Sequence, residues 1–444
     1  MNKTGIMFFP AFDWSLGESH PEREERLLYT QEQIFEEGIM DLAQVKQYSP
    51  AVADIFDVLR TQAFFPSHEK HHLDAHLIAA GSSITLGKAI MEKEIKNGFA
   101  IVRPPGHHSG ATVWGNRGFC TINNEAVLVN YLRANYGLKK IAIVDTDVHH
   151  GDGTQDIFFH DPNVLYISIH QDGRTLFPGT GFIDEKGGPN AWGANLDIPL
   201  IPGVGDEGVI YTLENWIMPR LAEFKPDIII NSAGQDNHFT DPLASMNVTA
   251  RGYGKITEIL NPNLAVLEGG YSIEGALPYV NMAIFLALAG EDYSGVIEPQ
   301  KLERDVIGGK PFISYLKNLK NEYAKIEPNW TVKKESFLPK GDWVYTEKGT
   351  FYDTDWFKEY RKDYVKKCDN CGGTVLFISQ NQLTGEQGVL VRIPFGACPA
   401  CVQAGYDLVE NFHTKINTHV LLQDQPNNVI RFWDKGKEVR FFDQ

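Results

Sequence analysis

No stretch of the 444 residues approaches the ~20 consecutive apolar positions that a membrane-crossing helix needs. The first residues, MNKTGIMFFPAFDW, carry one lysine and a short apolar patch but no full hydrophobic region or cleavage site. That predicts no secretory signal. The expected location is the cytoplasm, with export to another compartment or cell left open. Cysteine is scarce, five residues in all, which argues against a disulfide framework. Basic residues are outnumbered, 41 Lys and Arg against 57 Asp and Glu, for a net charge of −16. An acidic surface repels nucleic acid and anionic membrane, so neither is expected as a direct partner. A cationic peptide or amine fits better. Internal repeats and low-complexity segments are also missing. What remains is ordinary globular composition, 43% hydrophobic and 22% charged. The length suits one large domain plus a module, or two to three domains.

Over residues 1–300 strand-like and helix-like segments alternate. Gly98–Arg103, Lys139–Asp145, Val164–His170, Asp227–Ser232 and Leu264–Glu268 are short apolar runs that read as strands. Asn124–Tyr136, Asp206–Phe224, Thr249–Leu260 and Gly275–Ala289 have helical spacing. The first of these helices should stop at Gly137, and Asp206 is the expected N-cap of the second. Continuous apolar strands between helices predict an α/β fold, a parallel sheet with helices on both faces. The pattern changes near residue 300. Lys301–Tyr323 reads as a lysine-rich helix, Ile326–Lys348 as a connection, and the chain from Thr350 as aromatic and β-like. The expected division is a catalytic domain over residues 1–330 and a small β-rich C-terminal domain over 345–444.

Ligands of parallel α/β sheets bind beyond the carboxyl ends of the strands. Here those ends are unusually polar. One runs into Arg103-Pro-Pro-Gly-His107-His108, and the next into Asp145-Thr-Asp147-Val-His149-His150-Gly-Asp152. A third runs into Ser232-Ala-Gly-Gln-Asp236 with Asp241-Pro-Leu243 behind it, and a fourth into Glu268-Gly-Gly-Tyr271. Converging at one sheet edge, they would gather carboxylates, imidazoles and a phenol in one cleft. Such groups suit zinc-assisted hydrolysis, since zinc accepts imidazole nitrogen and carboxylate oxygen and needs one open position. Asp147 and His149 stand at i and i+2, on one side of extended chain, and Asp236 can supply a third ligand. A neighbouring imidazole could move a proton and a phenol could donate to an oxyanion.

In these motifs the sequence resembles the histone deacetylase family, including its bacterial amidohydrolase and acetylpolyamine amidohydrolase members. The likeness spans about residues 15–295 and includes His20-Pro-Glu-Arg23, Gly118-Phe-Cys120 and Phe177-Pro-Gly-Thr-Gly181. It implies an arginase/deacetylase-type fold and catalytic zinc on Asp147, His149 and Asp236. It implies His108 as proton shuttle, His107 as its electrostatic neighbour, and Asp145 and Asp152 as their orienting carboxylates. Tyr271 would polarise the acyl carbonyl, while Gly118, Phe119 and Phe177 would line the acyl-lysine channel. A potassium ion would sit nearby on carbonyls of Asp145, Asp147 and His149 with Ser168. The segment Phe65–Ala80 does not present the family's substrate-gripping carboxylate, and nothing is carried over to Asp74. Gln235 replaces a commonly apolar residue, which touches rim specificity. His150 and His170 are expected to be structural.

His68-Glu-Lys-His71-His72 matches the zincin pattern HExxH formally, but lies in a charged stretch with no third ligand pattern. A second metal site on His68, His71, His72 or His76 is the other reading of that stretch. In the tail, Cys368-Asp-Asn-Cys371 and Cys398-Pro-Ala-Cys401 are 26 residues apart and read as a zinc ribbon over about residues 366–404, with a structural zinc. A redox CxxC would need a helix N-terminus and no second pair. Cys120 is expected to be buried and not nucleophilic. The expected activity is zinc-dependent hydrolysis of acyl-lysine in proteins, acetyl or longer. The alternatives are a small acylated amine such as an acetylpolyamine, and a binding module recruited through the ribbon, with a protein partner and an oligomer both left open.

Overall fold

The computed structural model describes residues 3–17, 19–66, 73–303, 305–415 and 418–439. Two eight-stranded sheets organise them. The first is built from β1 (Thr4–Phe9), β2 (Val45–Tyr48), β3 (Asn97–Val102), β4 (Ile141–Asp145), β5 (Val164–Gln171), β6 (Asn195–Leu200), β7 (Ile228–Ser232) and β8 (Leu264–Val266). Its order is β2-β1-β3-β8-β7-β4-β5-β6, and all of its pairings are parallel. The central strands are buried along their whole length, which is why they read as unbroken apolar runs. Helices on each face bury separate apolar layers, one around Phe285 and Leu213, the other around Leu86 and Leu128. This is the parallel sheet with helices on both faces that the sequence predicts.

The order matters for function. β3, β8, β7 and β4 are consecutive neighbours, so the four polar strand ends lie side by side at one edge of the sheet. The helix Asn124–Tyr136 starts on the Asn123 side chain, which accepts from Ala126 N–H, and stops at left-handed Gly137 as its sequence requires. The helix at Asp206 departs from the expectation. Gly205 is its N-cap, and the Asp206 carboxylate instead accepts from the amide and hydroxyl of Thr249, the N-cap of Ala250–Leu260. The expected single helix Asp206–Phe224 is also interrupted by a π turn at Leu213–Ile217.

The second sheet runs β9 (Thr331–Lys333), β10 (Trp343–Tyr352), β11 (Phe357–Lys366), β12 (Val375–Asn381), β13 (Gln387–Ile393), β14 (Thr418–Asp424), β15 (Val429–Asp434) and β16 (Lys437–Val439) in sequential order. It is antiparallel except for the pair β13–β14, which the helix Pro399–Phe412 connects. One face packs under that helix around Trp343 and Leu408. Residues of the other face, Val365, Phe377, Leu390 and Leu421, join the apolar layer that contains Ile157 and Phe158 of the first region. The two sheets therefore share a core. The segment read as a connection, Ile326–Lys348, contains β9 and the start of β10. Among the described residues no helix is long and apolar enough to cross a membrane. The HExxH pattern, with His68, His71 and His72, lies outside the described residues. His76 is buried in the helix Leu73–Met91, its ring edge-on to Trp14.

Candidate active site

Asp147, His149 and Asp236 meet just beyond β4 and β7. One ligand atom from each lies within 4.8 Å of the others, and all three residues are buried. His149 Nδ1 is 3.1 Å from Asp147 Oδ1 and 3.0 Å from Asp236 Oδ2. Backbone amides fix the carboxylates: Val148 N–H donates to Asp236 Oδ1 at 2.8 Å and Gly269 N–H to Asp147 Oδ2 at 2.7 Å. A Cβ on Gly269 would fall 2.2 Å from Asp236 Oδ2, so only glycine lets the β8 loop approach the cluster. Burial disfavours a charged His149, yet the two carboxylates outweigh it and raise the ring to about 10. A buried cluster with that much negative field, offering one nitrogen and two oxygens, is a fitting cradle for a divalent cation such as zinc.

The tandem histidines follow β3. His107 Nδ1 meets Asp145 Oδ2 at 3.1 Å, and its Nε2 lies 3.8 Å from Asp147 Oδ1. Burial works against charge on this ring, but Asp147, Asp145 and Glu268 hold it well above the usual imidazole range. His108 Nδ1 meets Asp152 Oδ1 at 2.9 Å. Burial, reinforced by the charge of His107, pushes His108 down to about 3. The two adjacent rings are thus driven to opposite charge states, His107 held charged by its carboxylates and His108 held neutral by burial and by the charge of His107. Tyr271 N–H donates to Asp241 Oδ2 at 2.7 Å, which gives the Asp241-Pro-Leu243 motif a positioning job. Burial keeps the Tyr271 phenol well above its ordinary pKa and hence protonated.

Aromatic rings wall the site. Phe177 stands edge-on to His108 at 5.0 Å, and Phe119 edge-on to Tyr271 at 5.5 Å and to His20 at 4.4 Å. Gly118 shares the Phe119 turn. The register that sets Asp145 opposite Ser168 also brings in β5, where the Ser168 hydroxyl is bonded to His170 Nδ1 at 2.8 Å. His150 is held by Thr180 and Gln155, and His170 by Ser168 and the Gly181 carbonyl, so both have structural partners. Gln235 is buried and bonded to Asn281, away from any rim, which corrects the expectation that it bears on rim specificity. Cys120 is buried and its thiol pKa is pushed well up by that burial.

Sequence reasoning missed the charged frame beneath the site. Glu22 of the His20-Pro-Glu-Arg motif accepts from Arg26 and from Arg103, both at 2.7 Å, and all three side chains are fully buried. Arg26 also bonds the carbonyls of Gly270 and Glu268, so the frame ties the N-terminal motif to the Tyr271 loop. Arg117 donates to Asp152 at 2.7 Å. Its position directly before Gly118-Phe-Cys120 was the available signal. Glu268 Oε2 accepts from the amides of Gly106 and His107, fixing the tandem-histidine turn. Replacing Glu22 by Gln leaves two buried guanidinium groups short of one charge-assisted acceptor. The expected cost is ~1.5–3 kcal/mol of stability, read as a lower denaturant midpoint at unchanged m-value. An unchanged midpoint contradicts the role given to the frame.

In the second region the four cysteines form a further cluster. Ligand sulfurs of Cys368, Cys371, Cys398 and Cys401 lie within 4.8 Å of one another, with Cys368 to Cys398 at 3.7 Å and Cys368 to Cys371 at 3.6 Å. Cys398 caps the helix Pro399–Phe412, the setting a redox CxxC requires, and its thiol is lowered to about 7. The second pair packed against it makes a closed four-sulfur site instead, the donor set of structural zinc.

The histone deacetylase domain model matches residues 20–286. A "Probable deacetylase" of Archaeoglobus fulgidus is 42% identical over 325 residues, covering 67% of this chain and 89% of that protein. "Histone deacetylase 15" of Arabidopsis thaliana is 41% identical over 222 residues, 48% of this chain and 40% of that protein. The crystal structure of the HDA15 HD domain superposes with a TM-score of 0.63 at 29% identity, covering 73% of this chain and 95% of that one.

Proposed function

This chain belongs to the histone deacetylase family, hydrolases that act on amides, and we propose that it is a zinc-dependent deacylase removing acetyl or longer acyl groups from lysine side chains of proteins or peptides. The observation that carries this reading is the convergence of Asp147, His149 and Asp236 with the tandem histidines and Tyr271 at one sheet edge. In this reading residues 1–330 form the catalytic region and 345–444 a C-terminal region around the four-cysteine site.

A zinc ion held by Asp147, His149 and Asp236 would polarise the acyl carbonyl and make a water more acidic. The remaining work falls to the protein. Phe119 and Phe177 flank the acyl-lysine stem and exclude water. With Nδ1 committed to Asp152, His108 takes the proton of the attacking water at Nε2 and delivers it to the departing lysine nitrogen as the C–N bond breaks. His107 keeps its Nδ1 proton, donated to the Asp145 carboxylate, and supplies positive charge. The Tyr271 hydroxyl donates to the oxyanion that forms on the carbonyl oxygen. The products are a carboxylate and a free amine. A potassium ion beside the loop, on the carbonyls of Asp145, Asp147 and His149 with Ser168, is part of the same proposal.

Two metal sites follow from this reading, so purified protein should contain about two zinc ions per chain. Changing Cys368 and Cys398 to Ser should lower that to about one. Two ions retained after the double change would rule out the four-cysteine assignment. The substrate class is tested by an acyl-chain-length panel on lysine peptides and acylated polyamines side by side. Higher kcat/KM on peptides is the expected result, and a preference for the polyamines would replace acyl-lysine by a small acylated amine.

A further inference from the structure

The family match ends at residue 286, so the second sheet lies wholly outside it. That sheet nevertheless reaches the catalytic channel. β10 and β11 pair along ten residues each, and the turn between Tyr352 and Phe357 closes against the loop that carries Gly118 and Phe119. Gly118 N–H donates to Asp353 Oδ1 at 2.9 Å, and Asn116 N–H to Asp355 Oδ2 at 2.8 Å. Thr354 Oγ1 donates to Asn116 Oδ1 at 2.9 Å, and Arg117 Nε to the Phe351 carbonyl at 3.1 Å. The fit is tight: a Cβ on Gly115 would sit 2.3 Å from Asp355 Oδ2. Behind the turn, Tyr352 accepts from Trp114 N–H and donates to the Thr112 carbonyl. Further back, Arg361 and Lys348 pair with Asp156 on the helix that begins at Asp152.

What these bonds hold is the segment Asn116–Phe119, which walls the site. Phe119 has a left-handed backbone, φ +69, which a phenylalanine keeps only where its surroundings fix it. Its ring faces Tyr271 and His20. Arg117 on the same turn bonds Asp152, the partner of His108. One end of the C-terminal hairpin thus braces both the channel wall and the proton-transfer pair.

We propose that the turn Phe351–Asp355 is a positioning element of the catalytic channel, with Asp353 and Asp355 as its positioning residues, so that the C-terminal sheet completes the deacylase site. The proposal rests on the deacylase reading above. Neither carboxylate touches reacting atoms; each acts through a backbone amide of the Asn116–Phe119 segment. A module present only for recruitment has no reason to bond that segment. Carboxylate-to-amide changes separate hydrogen bonding from charge, because Asn still accepts from a backbone N–H whereas Ala does not.

The test uses the full chain with Asp353→Ala/Asp355→Ala and Asp353→Asn/Asp355→Asn beside wild type. kcat and KM are measured on an acetyl-lysine peptide and an acetylated polyamine, and backbone hydrogen exchange is followed over residues 112–120. The Ala pair should lose on the order of 10–100-fold in kcat/KM, the scale of a small misplacement of catalytic groups. Its exchange over 112–120 should speed up, and the Asn pair should restore both. Wild-type kcat/KM and exchange in the Ala pair, or an Asn pair as impaired as the Ala pair, would overturn the proposal. Should the Ala pair not purify folded, Asp353→Ala alone gives the same comparison. A wild type that hydrolyses neither substrate defeats the deacylase reading, and the exchange result then decides the positioning role by itself.

Discussion

His108→Ala should lower kcat/KM by ~10²–10⁴, the usual contribution of a general acid–base group, and His107→Ala should cost less. The geometry distinguishes the two rings. Both nitrogens of His107 face carboxylates, Asp145 at Nδ1 and Asp147 beyond Nε2, so that ring has no site left to receive a proton. His108 commits only Nδ1, to Asp152, and its edge lies beside His149 and Phe177, on the proposed acyl-lysine path. The measurement is kcat/KM for both single variants with zinc content matched to wild type. If His107→Ala proves the more damaged protein at full zinc, the two roles are exchanged.

Tyr271→Phe should reduce kcat by ~10²–10³ while the protein keeps its zinc. The phenol is a donor held ready: Asp241 fixes its backbone amide, Phe119 packs edge-on against the ring, and the Arg26 guanidinium lies 4.9 Å from the ring centre. Removing the hydroxyl leaves that packing in place. KM should change much less than kcat, because the lost interaction forms only as charge builds on the carbonyl oxygen. Near-normal turnover in the variant would assign carbonyl polarisation to another group.

The parts of this architecture that were legible in the sequence are those decided locally. The strand β4 shows as an apolar run because both of its faces are buried, and the helix Asn124–Tyr136 shows because Asn123 and Gly137 bracket it. The strand ends showed as polar clusters because nothing in a core needs His107-His108 or Asp147-Val-His149. Other parts were set by distant partners. β6 does not show as an apolar run, because Asn195 and Asp197 are polar yet buried, with Asn195 bonded to Gln155 and Asp197 set against His150. Asp206 resembles a cap, but its partner is Thr249. The bond from Gly118 to Asp353 spans 235 positions, and no local pattern around Asp353 announces it.

The most direct measurement of the central claim is amine release from an acetyl-lysine peptide by protein stripped of metal and then refilled with zinc, for wild type and Asp236→Ala. The account predicts no turnover from stripped wild type, recovery as the second equivalent of zinc binds, and no recovery in Asp236→Ala although its four-cysteine site still fills. Turnover by the stripped protein, or full recovery in Asp236→Ala, would contradict it.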